Sequence, residues 1–136
     1  LCIQGPGETA YLGDLLATNL VNRGLAGAIV DGYVRDRSII AAMPLTVMAR
    51  GLTPLNLRRQ GGGEAQVALD FGGVQLNPGD WIVADDDGVI VVVPDEVDAT
   101  LASASRQVRI EVRVRELILA GVRVPDAVRQ AMAETA

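Results

Sequence analysis

Residues 12–24 read LGDLLATNLVNRG and residues 26–36 read AGAIVDGYVRD, and these two stretches decide the fold. In the first stretch apolar residues recur at helical spacing, and Arg23 and Gly24 then supply the basic last turn and the glycine that are typical of a helix end. In the second, residues 26–30 form an apolar run that is too short for a stable helix and stops at Asp31 and Gly32. Together they predict an amphipathic helix, a buried strand and a loop over residues 33–36.

The alternation of helix and strand continues for one more unit after this loop. Residues 38–42 have the composition of a helical turn. Residues 44–49 predict a second strand with Pro44 at its start, where a missing N–H is tolerated. Between residues 50 and 66 the pattern is lost in a segment rich in arginine and glycine. We expect a long, mobile loop there, of the kind that often carries function.

The C-terminal half changes to alternation with a period of two and then to helices. Turn-forming residues separate four short strands, which predicts an antiparallel meander. Pro94 then begins a helix that ends near Gly121, with Glu111 and Arg115 spaced for an ion pair one turn apart. A last helix over residues 125–132 is too short to be stable alone, and we expect a partner surface to support it. The predicted strands cover residues 67–71, 74–76, 81–84 and 89–93.

Length and composition describe a single α/β domain over residues 1–136. Of the 136 residues 49% are hydrophobic, which is enough for one core. The longest purely apolar run, residues 89–93, is far too short to cross a bilayer, and the chain does not open on a signal segment. The only cysteine, Cys2, cannot form an internal disulfide. These features favour a cytoplasmic protein without a membrane partner.

The charged residues argue against a nucleic-acid partner and restrict the chemistry. A net charge of −5 repels phosphate backbones, and 3% aromatic residues leave little to stack on bases. The chain contains no histidine, which excludes Ser-His triads and histidine metal clusters, and all 12 basic residues are arginine. Without lysine there is no Schiff base, so stabilising an enolate would need arginine, backbone amides or a metal ion.

Polar groups suited to bind a metal ion and an anion lie at the start of the predicted helix and just after the predicted strand. Arg35 follows the strand at the end where α/β folds commonly place ligands, and its planar fork suits a carboxylate. Beside it, Asp36 offers a hard oxygen ligand. With one carboxylate and no histidine, the favoured metals are Mg²⁺ or Mn²⁺, held mostly by water and substrate. The helix start offers the N–H groups and dipole that favour an anion, through the amides of Gly13, Asp14, Leu15 and Leu16.

The spacing between Asp14 and the adjacent pair Arg35-Asp36 resembles that of a known family when the surrounding motifs are included. The motifs occur in the order GDLLA (13–17), VDGYVRD (30–36), ARGLTP (49–54), FGGV (71–74) and PGDWIVADDDGV (78–89). Over roughly residues 5–95 they resemble the 4-hydroxy-4-methyl-2-oxoglutarate aldolase family, which includes the regulator of ribonuclease E activity A.

The resemblance implies a swivelling β/β/α-type fold that assembles as a homotrimer or a dimer of trimers, with active sites between subunits and a Mg²⁺ or Mn²⁺ requirement. By matching position, the amides of residues 13–16 and the guanidinium of Arg35 hold the pyruvyl end of the substrate, and Asp36 binds the metal. Asp14 orients metal-bound water and helps to move a proton. Chains of this family carry several dozen residues before the position of Leu1, so that N-terminal segment is expected to be missing here.

The activity implied by the resemblance is a class II, metal-dependent aldolase or oxaloacetate decarboxylase that releases pyruvate from a 2-oxo acid. The alternative is a non-catalytic protein that binds and inhibits a ribonuclease. The presence of Asp14, Arg35 and Asp36 favours the enzyme, because family members used as regulators can lack the metal-binding aspartate.

Several residues have a plain structural explanation beside the functional one. Asp14 would also serve as the N-cap of its helix, a role that is compatible with catalysis. Aspartates 85–87 resemble part of a calcium loop, but a tight hairpin turn explains them better. Trp81 is expected in the core. Arg58 and Arg59 are candidates for contact with a distal substrate carboxylate, although a solvated loop is the default.

Overall fold

The first part of the chain forms a four-stranded parallel sheet centred on β3 (Gly27–Val34). The computed structural model describes residues 1–56 and 62–135. In it, β1 (Cys2–Gln4) and β2 (Ala10–Leu12) pair one after the other with the same edge of β3, and β4 (Thr46–Leu52) pairs with the opposite edge. All three pairings are parallel, so the carboxyl ends of the four strands point the same way.

Two helices connect these parallel strands. α1 (Asp14–Asn22) leads from β2 to β3, and the single turn α2 (Arg37–Ile40) leads from β3 to β4. Burial alternates strictly along β3, because one face of the strand packs into the core and the other does not. The buried side chains of this core are Leu12, Ala17, Leu20, Ala28, Val30, Val34, Ile40 and Leu45.

The antiparallel region consists of two hairpins. β5 (Leu69–Phe71) pairs with β6 (Val74–Leu76), and β7 (Trp81–Asp85) pairs with β8 (Gly88–Val92). They form two separate two-stranded sheets, so the predicted meander is present as two hairpins rather than as one continuous sheet. The chain divides into two compact units after Pro78, between these hairpins. A proline at this point has no N–H to donate to a strand ladder.

The polar face of β3 holds the first hairpin. Asp31 forms an ion pair with Arg50 of β4 and accepts a hydrogen bond of 3.3 Å from Gln4 Nε2 of β1. Gln4 also donates to the carbonyl of Asp70 in β5, and the Gly72 N–H contributes a hydrogen bond to Asp31. The hydrogen bond from Arg50 is the main reason that the pKa of Asp31 lies below its usual value. Asp31 therefore connects β3 with β1, with β4 and with the turn of the first hairpin.

In the second unit a long helix packs against a shorter one. A 3-10 turn over Pro94–Glu96 leads into α3 (Val97–Leu119), which is followed by α4 (Val124–Glu134). Between the helices, Gly121 adopts φ = 89°, the left-handed conformation in which helices commonly end. The buried side chains between the two helices are Ile110, Leu117, Ala127 and Ala131. Within the described residues, no helix is both long and apolar enough to span a bilayer.

Some predicted boundaries in the first unit were wrong. β3 does not stop at Asp31 and Gly32 but continues to Val34, because pairing with strands on both edges overrides the local turn signal. β4 runs to Leu52, into the segment predicted to be a loop, and the three-residue strands β1 and β2 were not predicted. The predicted loop also includes residues 57–61, which lie outside the described residues, so its mobility stays a prediction.

Contacts within the second unit differ in part from those expected. α4 packs against α3 through buried alanines and through an ion pair of 2.6 Å between Arg113 and Glu134, and a partner surface against α4 stays a prediction. The predicted pair of Glu111 with Arg115 is not among the ion pairs of residues 62–135, where Glu111 accepts a hydrogen bond from Gln107 instead.

Trp81 was predicted in the core, but its side chain is 59% exposed. It begins β7, where burial alternates, and it belongs to the more exposed set of positions together with Val83. An apolar run alone does not tell which face of a hairpin is covered.

Candidate functional site

The predicted site residues lie together at the carboxyl end of the parallel sheet. Gly13 and Asp14 directly follow β2, Arg35 and Asp36 directly follow β3, and Thr53 follows β4. Backbone hydrogen bonds fix this edge, because Arg35 N–H donates to the carbonyl of Leu12 and Thr53 N–H donates to that of Val34, each over 3.0 Å. Loops at this end of a parallel sheet are where α/β proteins generally bind ligands. Strand β2, which was not predicted from the sequence, brings Asp14 close to Arg35.

Asp36 is at the centre of this group. One oxygen, Oδ2, accepts a hydrogen bond of 3.2 Å from the backbone N–H of Asp14 and lies 3.2 Å from Nε of Arg35. The Arg35 and Asp36 side chains are 33% and 32% exposed. Asp36 also adopts φ = 59° and ψ = 34°, a left-handed conformation that is uncommon for residues other than glycine. This backbone turn directs the carboxylate back towards the start of α1.

Gly13 is required by close contacts rather than by its backbone conformation. Its φ of −134° is open to any residue. A Cβ atom at this position would lie 2.7 Å from Oδ2 of Asp36 and 2.8 Å from Nε of Arg35. The absence of a side chain therefore allows the ion pair to pack directly against the start of α1.

The start of α1 already interacts with carboxylates. The Asp14 N–H donates to Asp36, and the Leu15 N–H donates to the carboxylate of Asp14 itself over 2.8 Å. Asp14 is the first residue of the helix and Gly13 occupies the N-cap, so the suggestion that Asp14 is the N-cap was wrong. As an acid in the first turn, Asp14 still complements the helix dipole. That these amides bind a substrate carboxylate stays a prediction.

Arg35 borders two clefts. The first, of about 200 Å³, lies beside the start of α1 and is lined by Gly13, Leu15, Leu16, Arg35 and Asn56 together with Ala10 and Tyr11. The second, of about 390 Å³, is lined by Arg35, Asp36, Arg37, Leu52, Thr53 and Pro54. A small anion in either cleft would therefore meet this guanidinium.

Asn56 is a site residue that the sequence reading missed. Its side-chain oxygen accepts a hydrogen bond from Nη1 of Arg35, and its backbone is held by a bridge to Ala10 of β2. Asn56 therefore helps to orient the arginine fork. No local sequence signal marks it, because it lies four residues beyond β4 in an irregular stretch. Only the parallel order of β2, β3 and β4 brings it near Arg35.

The oxygen donors at this edge restrict the metals that would fit. Among residues 1–56 and 62–135, no group of three or more His, Cys, Asp or Glu side chains is placed to hold a metal ion. Asp36, with Asp14 adjacent to it, supplies only hard carboxylate oxygens. This set fits Mg²⁺ or Mn²⁺ bound mainly through water and substrate, and it does not fit a metal that needs several nitrogen or sulfur ligands.

The other candidates from the sequence are a turn of the second unit, the cysteine of β1 and two arginines outside the described residues. In the turn between β7 and β8, the Asp87 N–H donates to Asp85 Oδ1 over 2.9 Å, which confirms the predicted tight hairpin turn. Cys2 lies in β1, where burial raises the pKa of its thiol. Arg58 and Arg59 lie outside the described residues, so their contact with a substrate stays a prediction.

Known proteins share both the sequence and the fold of this chain. Residues 1–91 match the sequence model of the RraA-like family, described as Aldolase/RraA. A relative from Bacillus cereus, provisionally named 4-hydroxy-4-methyl-2-oxoglutarate aldolase, is 41% identical over 93 residues, covering 67% of this chain and 58% of the relative.

Two solved structures carry different names. The S-adenosylmethionine: 2-dimethylmenaquinone methyltransferase of Geobacillus kaustophilus HTA426 is 45% identical with a TM-score of 0.65, over 68% of this chain and 58% of that one. Streptomyces coelicolor RraAS2, an unusual member of the RNase ES inhibitor RraA protein family, is 31% identical with a TM-score of 0.78, over 85% and 61%.

The chain spans less than two thirds of the length of each of these proteins. Their three names describe three different activities, so the activity of this chain has to be argued from its own residues. The family is established by the match over residues 1–91 and by relatives that share the fold. The resemblance found in the sequence is thereby confirmed, and the chain belongs to the RraA-like family.

Proposed function

We propose that this chain forms the substrate and metal site of a divalent-metal-dependent lyase that releases pyruvate from a 2-oxo acid, by retro-aldol cleavage or by decarboxylation of oxaloacetate. The observation that carries the proposal is the meeting of Arg35, Asp36 and the start of α1 at one edge of the sheet. It combines a carboxylate clamp, a hard metal ligand and backbone donors. The provisional name of the Bacillus cereus relative supports the same chemistry.

The carboxylate of the 2-oxo acid would bind Arg35. Its guanidinium is held by Asn56 on one side and by Asp36 on the other, so its fork is oriented before the substrate arrives. The adjacent start of α1 adds N–H donors and the positive end of the helix dipole. The small cleft beside Gly13 and Leu16 offers the space for a pyruvyl group.

Asp36 would hold the metal, and Asp14 would handle the proton. When bound, Mg²⁺ or Mn²⁺ supplies the Lewis acidity that polarises the ketone of a 2-oxo acid. None of the 136 residues is lysine, so a Schiff base from this chain is no alternative. Asp14 lies between Gly13 and Leu15, which line the small cleft, and its carboxylate accepts a hydrogen bond from the Leu15 N–H; we assign it the role of giving or taking a proton.

The decisive test measures pyruvate release from oxaloacetate and from 4-hydroxy-4-methyl-2-oxoglutarate by the full-length protein. We expect turnover with Mg²⁺ or Mn²⁺ that EDTA abolishes. Arg35→Ala should lower kcat/KM by roughly 10²- to 10³-fold, as expected for the loss of one charged donor at a reacting centre. Arg50→Ala is the matched control, because it removes an arginine that pairs with an aspartate elsewhere on the sheet. A folded protein that releases no pyruvate from either substrate would contradict the proposal.

A second candidate function is inhibition of a ribonuclease through protein contacts. It is supported by the relationship to Streptomyces coelicolor RraAS2, which belongs to a family of RNase ES inhibitors. The two functions separate experimentally, because the site variants should affect only the first. Tight binding to a ribonuclease that Arg35→Ala leaves intact, by a protein without lyase activity, would make this second function the better description.

The proposal includes assembly into a homotrimer or a dimer of trimers in the cytoplasm. Exposed apolar side chains close to the site, Leu15 at 78%, Leu52 at 55% and Leu55 at 57%, support burial against another subunit. The single cysteine suits a reducing compartment. Light scattering on the eluting full-length protein should give three or six times the monomer mass, and a monomer at micromolar concentration would contradict this part.

A further inference from the structure

A second arginine lies in the site without an assigned role. Arg37 is the first residue of α2 and lines the same cleft of about 390 Å³ as Arg35 and Asp36. It also lines a neighbouring cleft of about 280 Å³ whose other residues are mostly apolar, including Val34 and Ile40. Arg37 therefore lies between a polar cleft and an apolar one. Its hydrocarbon stem suits the apolar cleft, and its charged guanidinium suits the polar one.

The two arginines differ in how their charges are used. Arg35 forms an ion pair with Asp36 and donates to Asn56. The guanidinium of Arg37 makes no hydrogen bond and no ion pair with any residue in 1–56 or 62–135. Arg37 is also exposed to solvent, so its charge is free to meet a ligand that enters the cleft.

The cleft is consequently positive within an acidic chain. Two arginines and one aspartate leave one uncompensated positive charge there, whereas the chain as a whole carries −5. Asp36 pairs with Arg35, so Arg37 is the arginine of this cleft that is left to attract a second anionic group of a ligand whose first carboxylate is bound by Arg35. A guanidinium provides the fork that binds a carboxylate through two parallel hydrogen bonds.

We propose that Arg37 binds the distal carboxylate of the substrate and thereby selects 2-oxo acids with two carboxylates over those with one. This inference rests on the proposed function, because it takes Arg35 as the clamp for the carboxylate next to the ketone. It places the carboxylate next to the ketone on Arg35, which borders both clefts, and the distal carboxylate on Arg37 in the larger one. The apolar surface beside Arg37 faces the uncharged carbons of such a ligand.

The test uses two inert probes of equal chain length, so that binding is measured without turnover. These are 2-oxoglutarate, which has two carboxylates, and 2-oxopentanoate, which has a methyl group in place of the distal carboxylate. Calorimetric titration of the full-length protein with Mg²⁺ gives a Kd for each. We expect the wild type to prefer 2-oxoglutarate, and Arg37→Met to reduce that preference about tenfold, the effect of one charge-assisted hydrogen bond.

Two further variants control for charge and for fold. Arg37→Met keeps a long apolar side chain against the neighbouring cleft. Arg37→Lys keeps the charge without the fork and should restore part of the preference. Arg23→Met removes the same charge at the end of α1, where the backbone N–H of Arg23 caps the helix, and should leave the preference unchanged. An equal loss in Arg23→Met would overturn the inference, since it would reflect net charge alone.

The outcomes separate this inference from the proposed function. If the wild type releases pyruvate while Arg37→Met keeps the full preference for 2-oxoglutarate, this inference is wrong and the proposed function stands. If Arg37→Met loses the preference but the wild type releases no pyruvate, Arg37 binds the distal carboxylate at a site that has no lyase activity. Binding of neither probe by the wild type would overturn this inference, and pyruvate release alone would then decide the proposed function.

Discussion

The central strand of the sheet is associated with two aspartate–arginine pairs, one in its middle and one just beyond its carboxyl end. Asp31 is 12% exposed, and its carboxylate is shared by Arg50 and Gln4 inside the sheet. Asp36 is 32% exposed, and one oxygen meets both Arg35 and the start of α1 beside a cleft. The same two residue types therefore hold elements together in one place and form a candidate site in the other.

The difference lies in position along the strand rather than in the residues themselves. In the middle of a parallel strand, neighbours on both edges supply partners that use up the oxygens of a carboxylate. At the carboxyl end, the chain turns away and leaves room for a ligand. If this distinction holds in solution, substitutions at Asp31 and at Asp36 should have different effects.

The largest expected difference between the two aspartates is in metal binding. Asp36→Ala removes the carboxylate that we propose as the metal ligand and should weaken Mn²⁺ binding by on the order of 100-fold. Asp31→Ala removes a carboxylate that is already paired in the sheet and should leave Mn²⁺ affinity unchanged. Electron paramagnetic resonance titration with Mn²⁺ measures both. Equal losses in the two variants would break the distinction.

The close packing of Gly13 against Asp36 predicts a large effect on activity. In Gly13→Ala, the new methyl group must displace the side chains of Arg35 and Asp36, so kcat/KM should fall on the order of 100-fold. Gly27→Ala is a matched control, because its Cβ would lie 3.0 Å from the Thr46 carbonyl at the opposite end of β3. The control should lower the urea midpoint without changing kcat/KM in the folded protein, and a comparable loss of activity would argue that crowding anywhere on β3 disturbs the site.

Each ion pair also has a side-chain amide beside it, Asn56 bonded to Arg35 and Gln4 bonded to Asp31, and removal of the two amides should affect KM differently. Asn56→Ala frees the fork of Arg35 and should raise KM for a 2-oxo acid about tenfold, since a hydrogen bond to a charged group is lost. Gln4→Ala removes the amide beside Asp31 and should leave KM unchanged. Steady-state kinetics on both variants tests this, and a larger KM effect from Gln4→Ala would contradict it.

The smallest effect is a pH-dependent contribution of Asp31 to stability. Its pKa in the folded state is lowered from an ordinary value of 3.8, mainly by Arg50, so its stabilising effect is present above about pH 4 and is lost as pH falls through the folded-state pKa. Asp31→Asn should therefore be less stable than the wild type at pH 7, by about 1 kcal/mol or less because Arg50 is exposed. The gap in urea midpoints should narrow towards pH 3, and a gap that widens there would show that Asp31 is stabilised in its protonated form.

The sequence predicted where the candidate site residues lie relative to the helices and strands better than it predicted why they are close together. Helical periodicity identified α1, and the apolar run at residues 26–30 identified β3, so Asp14, Arg35 and Asp36 were named correctly as residues at element ends. β2 has only three residues and follows a Gly-Pro-Gly stretch, so it is too short to show the alternation of apolar and polar residues that indicates a strand. Without β2, the contact of Asp14 with Asp36 has no local explanation.

Features that depend on pairing between distant segments could not be predicted from local sequence patterns. β3 continues through Asp31 and Gly32 because strands pair with both of its edges and Arg50 forms an ion pair with Asp31. The residues next to position 31 in the sequence do not show these distant partners. The exposure of Trp81 depends likewise on which face of its hairpin is covered. Helix ends were more predictable, as the left-handed Gly121 after α3 illustrates, because they are set by the conformational freedom of one residue.

The left-handed backbone of Asp36 has a consequence for the choice of residue at this position. Glycine adopts this conformation without steric cost, whereas a non-glycine residue gives up about 1 kcal/mol of stability. Asp36→Gly would relieve this conformation, but it would also remove the ion pair with Arg35, the hydrogen bond from the Asp14 N–H and the proposed metal ligand. A chain that keeps aspartate here despite the backbone cost shows the pattern expected where a side chain is needed for function.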